Sequence, residues 1–252
     1  MAEEAGPQVL VDRDGPVVTL SLNRPAALNA ITPVMLGQLS SALAEVGADP
    51  AIRVVVLTGV GRAFSAGVDL KSLGGLSLEG GRVGDVLDLP ARQAIRLLTT
   101  MPKVVIAKVN GPCFTGALEL ALACDIVVAA ESAKMADTHA KWGLRPTWGM
   151  SQRLIRGVGP ARARLLSYTA ATFTGADAAS WGLIAAAVPA DQLDSEVSRL
   201  ASTIAANSPG SVAAYKDLYG HSLDVGLTDG IEYEAATAYP IADTDERVTG
   251  FR

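Results

Sequence analysis

Glu119 is the side chain in this sequence whose chemistry its neighbours least explain. It sits in Gly116-Ala117-Leu118-Glu119-Leu120-Ala121-Leu122-Ala123-Cys124, a run that is apolar on nearly every helical face, and such a helix is a buried one. No Lys or Arg occurs between Lys108 and Lys134, so the carboxyl has no local ion-pair partner. A carboxyl taken out of water without a partner has its pKa raised, which suits a proton carrier. The alternative is a glutamate that reaches a wet edge or pairs across the fold. A second stretch, Gly61-Arg62-Ala63-Phe64-Ser65-Ala66-Gly67-Val68-Asp69-Leu70-Lys71, is a loop of small residues after a strand-like run. Such loops let a ligand approach the backbone closely, although a tight turn would look the same.

Other chemistries find little support. The two histidines, His139 and His221, belong to no HExxH, so no metal site built on imidazoles is expected. Neither GxGxxG nor a Walker-type phosphate loop occurs, and the GxSxG elbow is absent. Cys113 and Cys124 lie in or beside apolar runs without zinc-like spacing and read as buried free thiols. The formal net charge of −5, with acids and bases interspersed, argues against a nucleic-acid footprint. The acidic opening lacks the pattern of a secretory signal, and no uninterrupted apolar run reaches membrane-spanning length. The expectation is a cytoplasmic protein with no membrane partner.

The elements that must position Glu119 follow from patterning. With 252 residues, 49% of them hydrophobic, a large core is within reach. Val17–Leu22 reads as a strand, Thr32-Pro33 as a helix start followed by Leu36, Leu39, Leu43 and Val46 on one face, and Arg53–Thr58 as a doubly covered strand. Residues 72–90 read as a Gly-rich mobile loop with at most a short helix, and about Pro90 to Thr99 as a helix. Val104–Val109 is a strand leading into the Glu119 helix, and Asp125–Ala130 is another. Helices are expected over Gln152–Val158, Ala161–Tyr168, Ala176–Trp181 and Asp191–Asn207, with a short strand at Ala185–Val188 between the last two. Three short segments, 211–220, 229–239 and 243–252, follow with exposed-looking Tyr215, Leu218, Ile231 and Tyr233. Strands alternating with helices point to an α/β architecture with a partly parallel sheet.

Ala63 to Lys71 and Asn110-Gly111-Pro112 through Glu119 to Cys124-Asp125, taken together, resemble the crotonase superfamily, also called the enoyl-CoA hydratase/isomerase family. Leu22-Asn23-Arg24-Pro25 with Leu28-Asn29-Ala30, Val54 to Gly59, Gly149 to Leu154, Phe173-Thr174-Gly175 and Ala178 to Gly182 add to the likeness, which runs from about residue 9 to near the end. The resemblance implies a core of repeated ββα units over residues 1–190 and a helical region over 191–252 that builds trimers, often paired into hexamers. It implies an acyl-CoA thioester as substrate, with coenzyme A as part of that substrate and no separate cofactor. Two backbone N–H groups would hold the thioester oxygen, mapped here onto Ala66 and Gly116, with Ala27, Leu28 and the backbone of Ala66, Gly67, Val68 and Asp69 along the coenzyme A path.

In hydratases of this family two glutamates flank the double bond. Glu119 matches the first, and the second position falls on His139, a departure from the pattern. His139 either replaces the second acid/base group or is a pocket polar residue in a site that has lost two-carboxylate hydration. Asp137 would reach the pocket instead only if the local strand shifts, and His221 reads as structural. The implied activity is hydration of a 2-enoyl-CoA. A double-bond isomerase, a thioester hydrolase and a non-catalytic acyl-CoA binder are the alternatives on the same fold. The family pattern commonly continues past Gly250-Phe251 with a basic, aromatic tail, so the adenine end is expected to be more open here.

Overall fold

The computed structural model describes residues 6–73 and 79–250. A six-stranded sheet runs in the order β1 (Val9–Asp14), β2 (Val17–Leu22), β3 (Val54–Gly59), β4 (Val104–Val109), β6 (Ile126–Ala130) and β9 (Ala186–Val188). All neighbours are parallel except the β1–β2 hairpin at one edge. A small second sheet joins β5 (Cys113–Phe114), β7 (Lys134–Ala136) and β8 (Phe173–Thr174). Every residue of β3 is buried, as a strand covered on both faces must be.

The ββα repeat is visible in the chain path. β4 gives one strand to the large sheet, β5 one to the small sheet, and α3 (Gly116–Ala121) follows; β6, β7 and α4 (Met150–Thr169) repeat the plan. α1 (Pro33–Ala48) starts as its sequence predicts, with the Thr32 hydroxyl accepting from the Met35 N–H at 3.0 Å and Pro33 at the first position. Its Leu36, Leu39, Leu43 and Val46 are all buried.

Several expectations are corrected. The edge strand β1 went unread because five of its six residues are exposed, leaving no apolar alternation to detect. The strands of the small sheet are two or three residues long, too short for any periodicity. α2 spans Asp85–Thr100 rather than starting near Pro90, with Asp85 and Asp88 in its first turn, where the helix dipole favours them. Of the expected 72–90 loop, residues 74–78 lie outside the described residues, while Glu79–Gly81 form a 3₁₀ turn. The two helices expected over 152–168 are both present: α4 is a pair of helices that meet at a kink at Gly159, whose φ of 73° precedes Pro160.

The boundary expected at residue 190 runs through packed core. α6 (Leu193–Ala206) lies on the sheet and buries Leu193, Val197 and Ala201 in the same cluster as β3 and β4. Exposure begins after it. α5 (Gly175–Ser180) precedes β9, and α7 (Pro209–Ser222), α8 (Leu227–Ala236) and α9 (Thr244–Thr249) close the described chain. Of these last three, only α7 buries a residue, Ala214. Lys216 ties α7 to the core by donating to the Leu98 and Lys103 carbonyls and to Asp125.

Candidate active site

The loops that leave the carboxyl ends of β3 and β4 run side by side, the usual location of ligand sites in parallel sheets. Ser65 and Cys113 are bridged, the Ser65 N–H donating to the Pro112 carbonyl at 3.0 Å and the Phe114 N–H to the Ser65 carbonyl at 3.2 Å. Buried Asn29 staples the first loop from behind, donating to the carbonyls of Val60 and Ala63 and accepting from the Arg24 N–H. Gly67 has φ of 89°, and a Cβ there would stand 2.7 Å from the Phe114 carbonyl oxygen, so only glycine allows this approach.

The main-chain donors divide between these loops. The Ala66 N–H donates to the Leu28 carbonyl at 2.9 Å and is therefore spent within the protein, which corrects its expected role as a donor to the ligand. One bridge further along, the Ile31 N–H donates to the Gly67 carbonyl and the Asp69 N–H to the Ile31 carbonyl. Successive amides of an extended chain point to opposite sides, so the Val68 N–H turns away from Ile31. Val68 lines the cavity, and no acceptor among the described residues takes its N–H. The Gly116 N–H, at the first position of α3, is likewise without an acceptor among the described residues, as first-turn amides are. Thr115, just before it, holds φ 53° and ψ −111°, a strained conformation for a β-branched residue. Its N–H donates to the Ala136 carbonyl, and its hydroxyl hydrogen-bonds that of Thr138.

Between these loops and α4 lies a cavity of about 120 Å³ lined by Ala66, Val68, Gly116, Glu119, His139 and Trp148 among others. Ala27, Leu28, Gly67 and Asp69 stand outside its lining; the Leu28 carbonyl holds the loop through the Ala66 N–H, and Asp69 does so through an ion pair with Arg24. Glu119 is buried. Its Oε1 accepts from the Trp148 N–H at 3.0 Å and the Met150 N–H at 2.9 Å, which leaves Oε2 for the cavity. Burial pushes its pKa up to about 7, against the lowering effect of the two amides and of His139.

His139 faces it, Nε2 standing 3.7 Å from Glu119 Oε2. That is too long for a direct hydrogen bond and short enough for one water-sized oxygen to touch both. Asp137 does not shift into the pocket. Its Oδ1 lies 2.6 Å from His139 Nδ1 and its Oδ2 accepts from the Ser167 hydroxyl at 2.7 Å. Burial alone would raise the Asp137 carboxyl, but the bonds from His139 and Ser167 outweigh it and hold the group below the usual carboxylate range. Trp148 also lines the cavity, and its ring covers Gly116 so closely that a Cβ there would meet it at 2.6 Å. The indole N–H donates to buried Asp88 at 2.9 Å, and Thr147 and Arg82 complete that carboxylate's shell. His221 lies away from this site, stacked on Tyr233 with ring centroids 3.8 Å apart.

Comparison with known proteins gives this arrangement a family. The model of the enoyl-CoA hydratase/isomerase family matches residues 12–252. The chain belongs to that family. It is 35% identical over 235 residues to a probable peroxisomal enoyl-CoA hydratase of Arabidopsis thaliana, covering 92% of this chain and 86% of that one. A mitochondrial enoyl-CoA hydratase of Pongo abelii is 34% identical, over 94% of this chain and 80% of its own. Among solved structures, an enoyl-CoA hydratase from Bacillus anthracis superposes with a TM-score of 0.87 at 32% identity, covering 97% of this chain and 94% of that one.

Val68 is expected from the sequence only along the coenzyme A path, not as the main-chain donor beside Gly116, and Trp148 is not expected as a site residue. The bridge pattern that frees the Val68 amide depends on Ile31, distant in sequence, and is invisible without the fold. Trp148 carried a weaker signal, a large aromatic between Pro146 and Gly149 in an otherwise small-residue turn. Asp137 and His139 meet through a turn that follows β7, where His139 is already helical (φ −52°, ψ −50°) and its N–H donates to Asp137 Oδ1, a pairing that the sequence alone does not show.

Proposed function

We propose that this protein adds water across the double bond of a 2-enoyl-CoA. The observation that carries the reading is the convergence, in one cavity, of two unclaimed main-chain amides, Val68 and Gly116, with a desolvated carboxyl and an imidazole. Attack of water at the β-carbon drives the electron pair of the double bond towards the thioester oxygen. The two N–H groups would take the negative charge that collects there; deleting one such donor costs about 3–4 kcal/mol in other enzymes. Glu119 Oε2 takes the proton of the attacking water. His139, which keeps its Nδ1 hydrogen towards Asp137 and must first take up a second proton on Nε2, delivers that proton to the α-carbon and is reloaded from Glu119 across the 3.7 Å gap. Each transfer is of the kind that contributes about 10²- to 10⁴-fold when the group is well placed.

The acyl group in this proposal is short. A cavity of about 120 Å³ is comparable to one of roughly 150 Å³ that holds benzene, and the indole of Trp148, one of its lining side chains, is held in place by Asp88. The helical tail is proposed to pack against further copies of the chain, forming a trimer or hexamer. Tyr215, Tyr219, Leu223, Leu227 and Ile231 are all more than half exposed on α7 and α8 and the turn between them, a surface more apolar than a monomer usually shows. Light scattering tests the oligomer, and monomers throughout would refute it. Two free buried thiols suit a reducing compartment such as the cytoplasm, and among the described residues no helix is long and apolar enough to cross a membrane.

The experiment is a panel of 2-enoyl-CoA thioesters with products identified by mass spectrometry. Conversion of a short-chain member to its 3-hydroxyacyl-CoA is expected. Free acid with coenzyme A, or a shifted double bond, would replace hydration with hydrolysis or isomerisation.

A further inference from the structure

His139 stands where the family resemblance expects a glutamate, and an imidazole is a more ambiguous group than a carboxylate. A neutral imidazole has one donor and one acceptor nitrogen, and either nitrogen can carry the hydrogen. Unless something fixes that choice, the ring presents a donor to the cavity in one tautomer and an acceptor in the other.

The surroundings of the ring remove the choice. Asp137 Oδ1 takes the His139 backbone N–H at 3.2 Å and lies 2.6 Å from Nδ1. Ser167, on α4, reaches across from another element and donates to Oδ2 at 2.7 Å. A carboxylate with this set of neighbours is an acceptor only, so the hydrogen belongs on Nδ1 and Nε2 is left bare towards Glu119. The His139 side chain is about 10% exposed and that of Asp137 about 4%, which leaves the pair little room to rearrange.

We infer that Asp137, steadied by Ser167, is the positioning residue of this site: it fixes the tautomer of His139 and presents Nε2 to the reacting atoms. The histidine thus enters the site together with its own carboxylate, as a unit standing in for a single glutamate side chain. A glutamate at position 139 would need no such partner, and Asp137 would then be a second anion close beside it.

That difference supplies the test, which for its rate arm rests on the hydration reading. Turnover of a short 2-enoyl-CoA is measured for the wild type, Asp137→Asn, His139→Glu and the double variant, with circular dichroism to establish folding. Asp137→Asn is expected to lower kcat about 100-fold, the scale of a misplaced acid/base group, with KM changed by less than about threefold. In the His139→Glu background the same substitution is expected to change kcat by less than about threefold, a coupling that a double-mutant cycle detects. Equal losses in the two backgrounds would make Asp137 a structural residue and overturn the inference. Ser167→Ala is expected to fall between, at a several-fold loss.

A second readout is independent of turnover and of the variants. Nitrogen-15 NMR of the wild type is expected to show hydrogen on His139 Nδ1 and a bare Nε2 in the neutral ring; the opposite tautomer overturns the inference. If the wild type hydrates no 2-enoyl-CoA, the proposed function fails while the tautomer measurement still decides the role of Asp137.

Discussion

The two proton-handling groups of this cavity are held in opposite ways. Glu119 is fixed by main chain, its Oε1 taking the amides of Trp148 and Met150. His139 is fixed by side chains, through Asp137 and then Ser167. A group anchored by backbone amides keeps its place when neighbouring side chains change, and burial sets its proton affinity. A group anchored by side chains can be released by one substitution two residues away. The wall with Glu119 should therefore be robust to mutation around it, and the wall with His139 fragile.

Glu119→Gln removes the proton carrier and keeps the acceptor for both amides. A loss of about 10³- to 10⁴-fold in kcat is expected, with the fold intact by circular dichroism; retained turnover would break the comparison at its stronger half. The same variant reports on stability. The folded-state pKa of Glu119, about 7, lies above the ~4.3 of an unfolded glutamate. The folded protein binds this proton more tightly, so the stabilisation is complete below about pH 4 and is lost as pH rises through about 7. Thermal melts of the wild type should lose stability across that window, and Glu119→Gln should flatten the loss. In the wild type, kcat/KM should rise with pH through about 7 as the base form appears.

His139→Gln comes next, with an expected loss of about 10²-fold in kcat, smaller because Glu119 and the two amides remain. A loss as large as that of Glu119→Gln would mean that the two walls contribute equally. Trp148→Leu leaves both proton carriers in place and enlarges the cavity. Each added methylene that gains burial contributes about 0.8 kcal/mol, so the preference should move to chains a few carbons longer, with kcat/KM for them rising about tenfold. An unchanged chain-length profile would mean that Trp148 does not limit the chain.

These residues also show what sequence can carry. Glu119 stands out because a lone acid in an apolar helix conflicts with its surroundings, and that conflict is local. The strands of the large sheet other than β1, and the cap of α1, are readable for the same reason. The Ala66 assignment failed because the free amide is decided by a bridge to Ile31 and by the Leu28 carbonyl, pairings between segments far apart in the chain. Asp88 was unreadable because its partners Thr147 and Trp148 lie about 60 residues on. Strain at Thr115 is a backbone property that its side chain gives no reason to expect.

Thr115 provides the smallest effect. Alanine there keeps the left-handed backbone strain and loses the hydroxyl bonds to Thr138, whereas glycine loses both. Thr115→Ala should be less stable than Thr115→Gly by about 1 kcal/mol, within the range of such strain, as denaturant titration would show. The reverse order would place the strain elsewhere.

The central claim is that the cavity assembles water, two amides and two proton carriers around a conjugated thioester. Incubation of a short 2-enoyl-CoA with the protein in ¹⁸O-labelled water, followed by mass spectrometry, tests it most directly. The account predicts a 3-hydroxyacyl-CoA carrying one solvent oxygen on the β-carbon and an intact thioester. Label in a released carboxylic acid, or an unlabelled isomer, would contradict it.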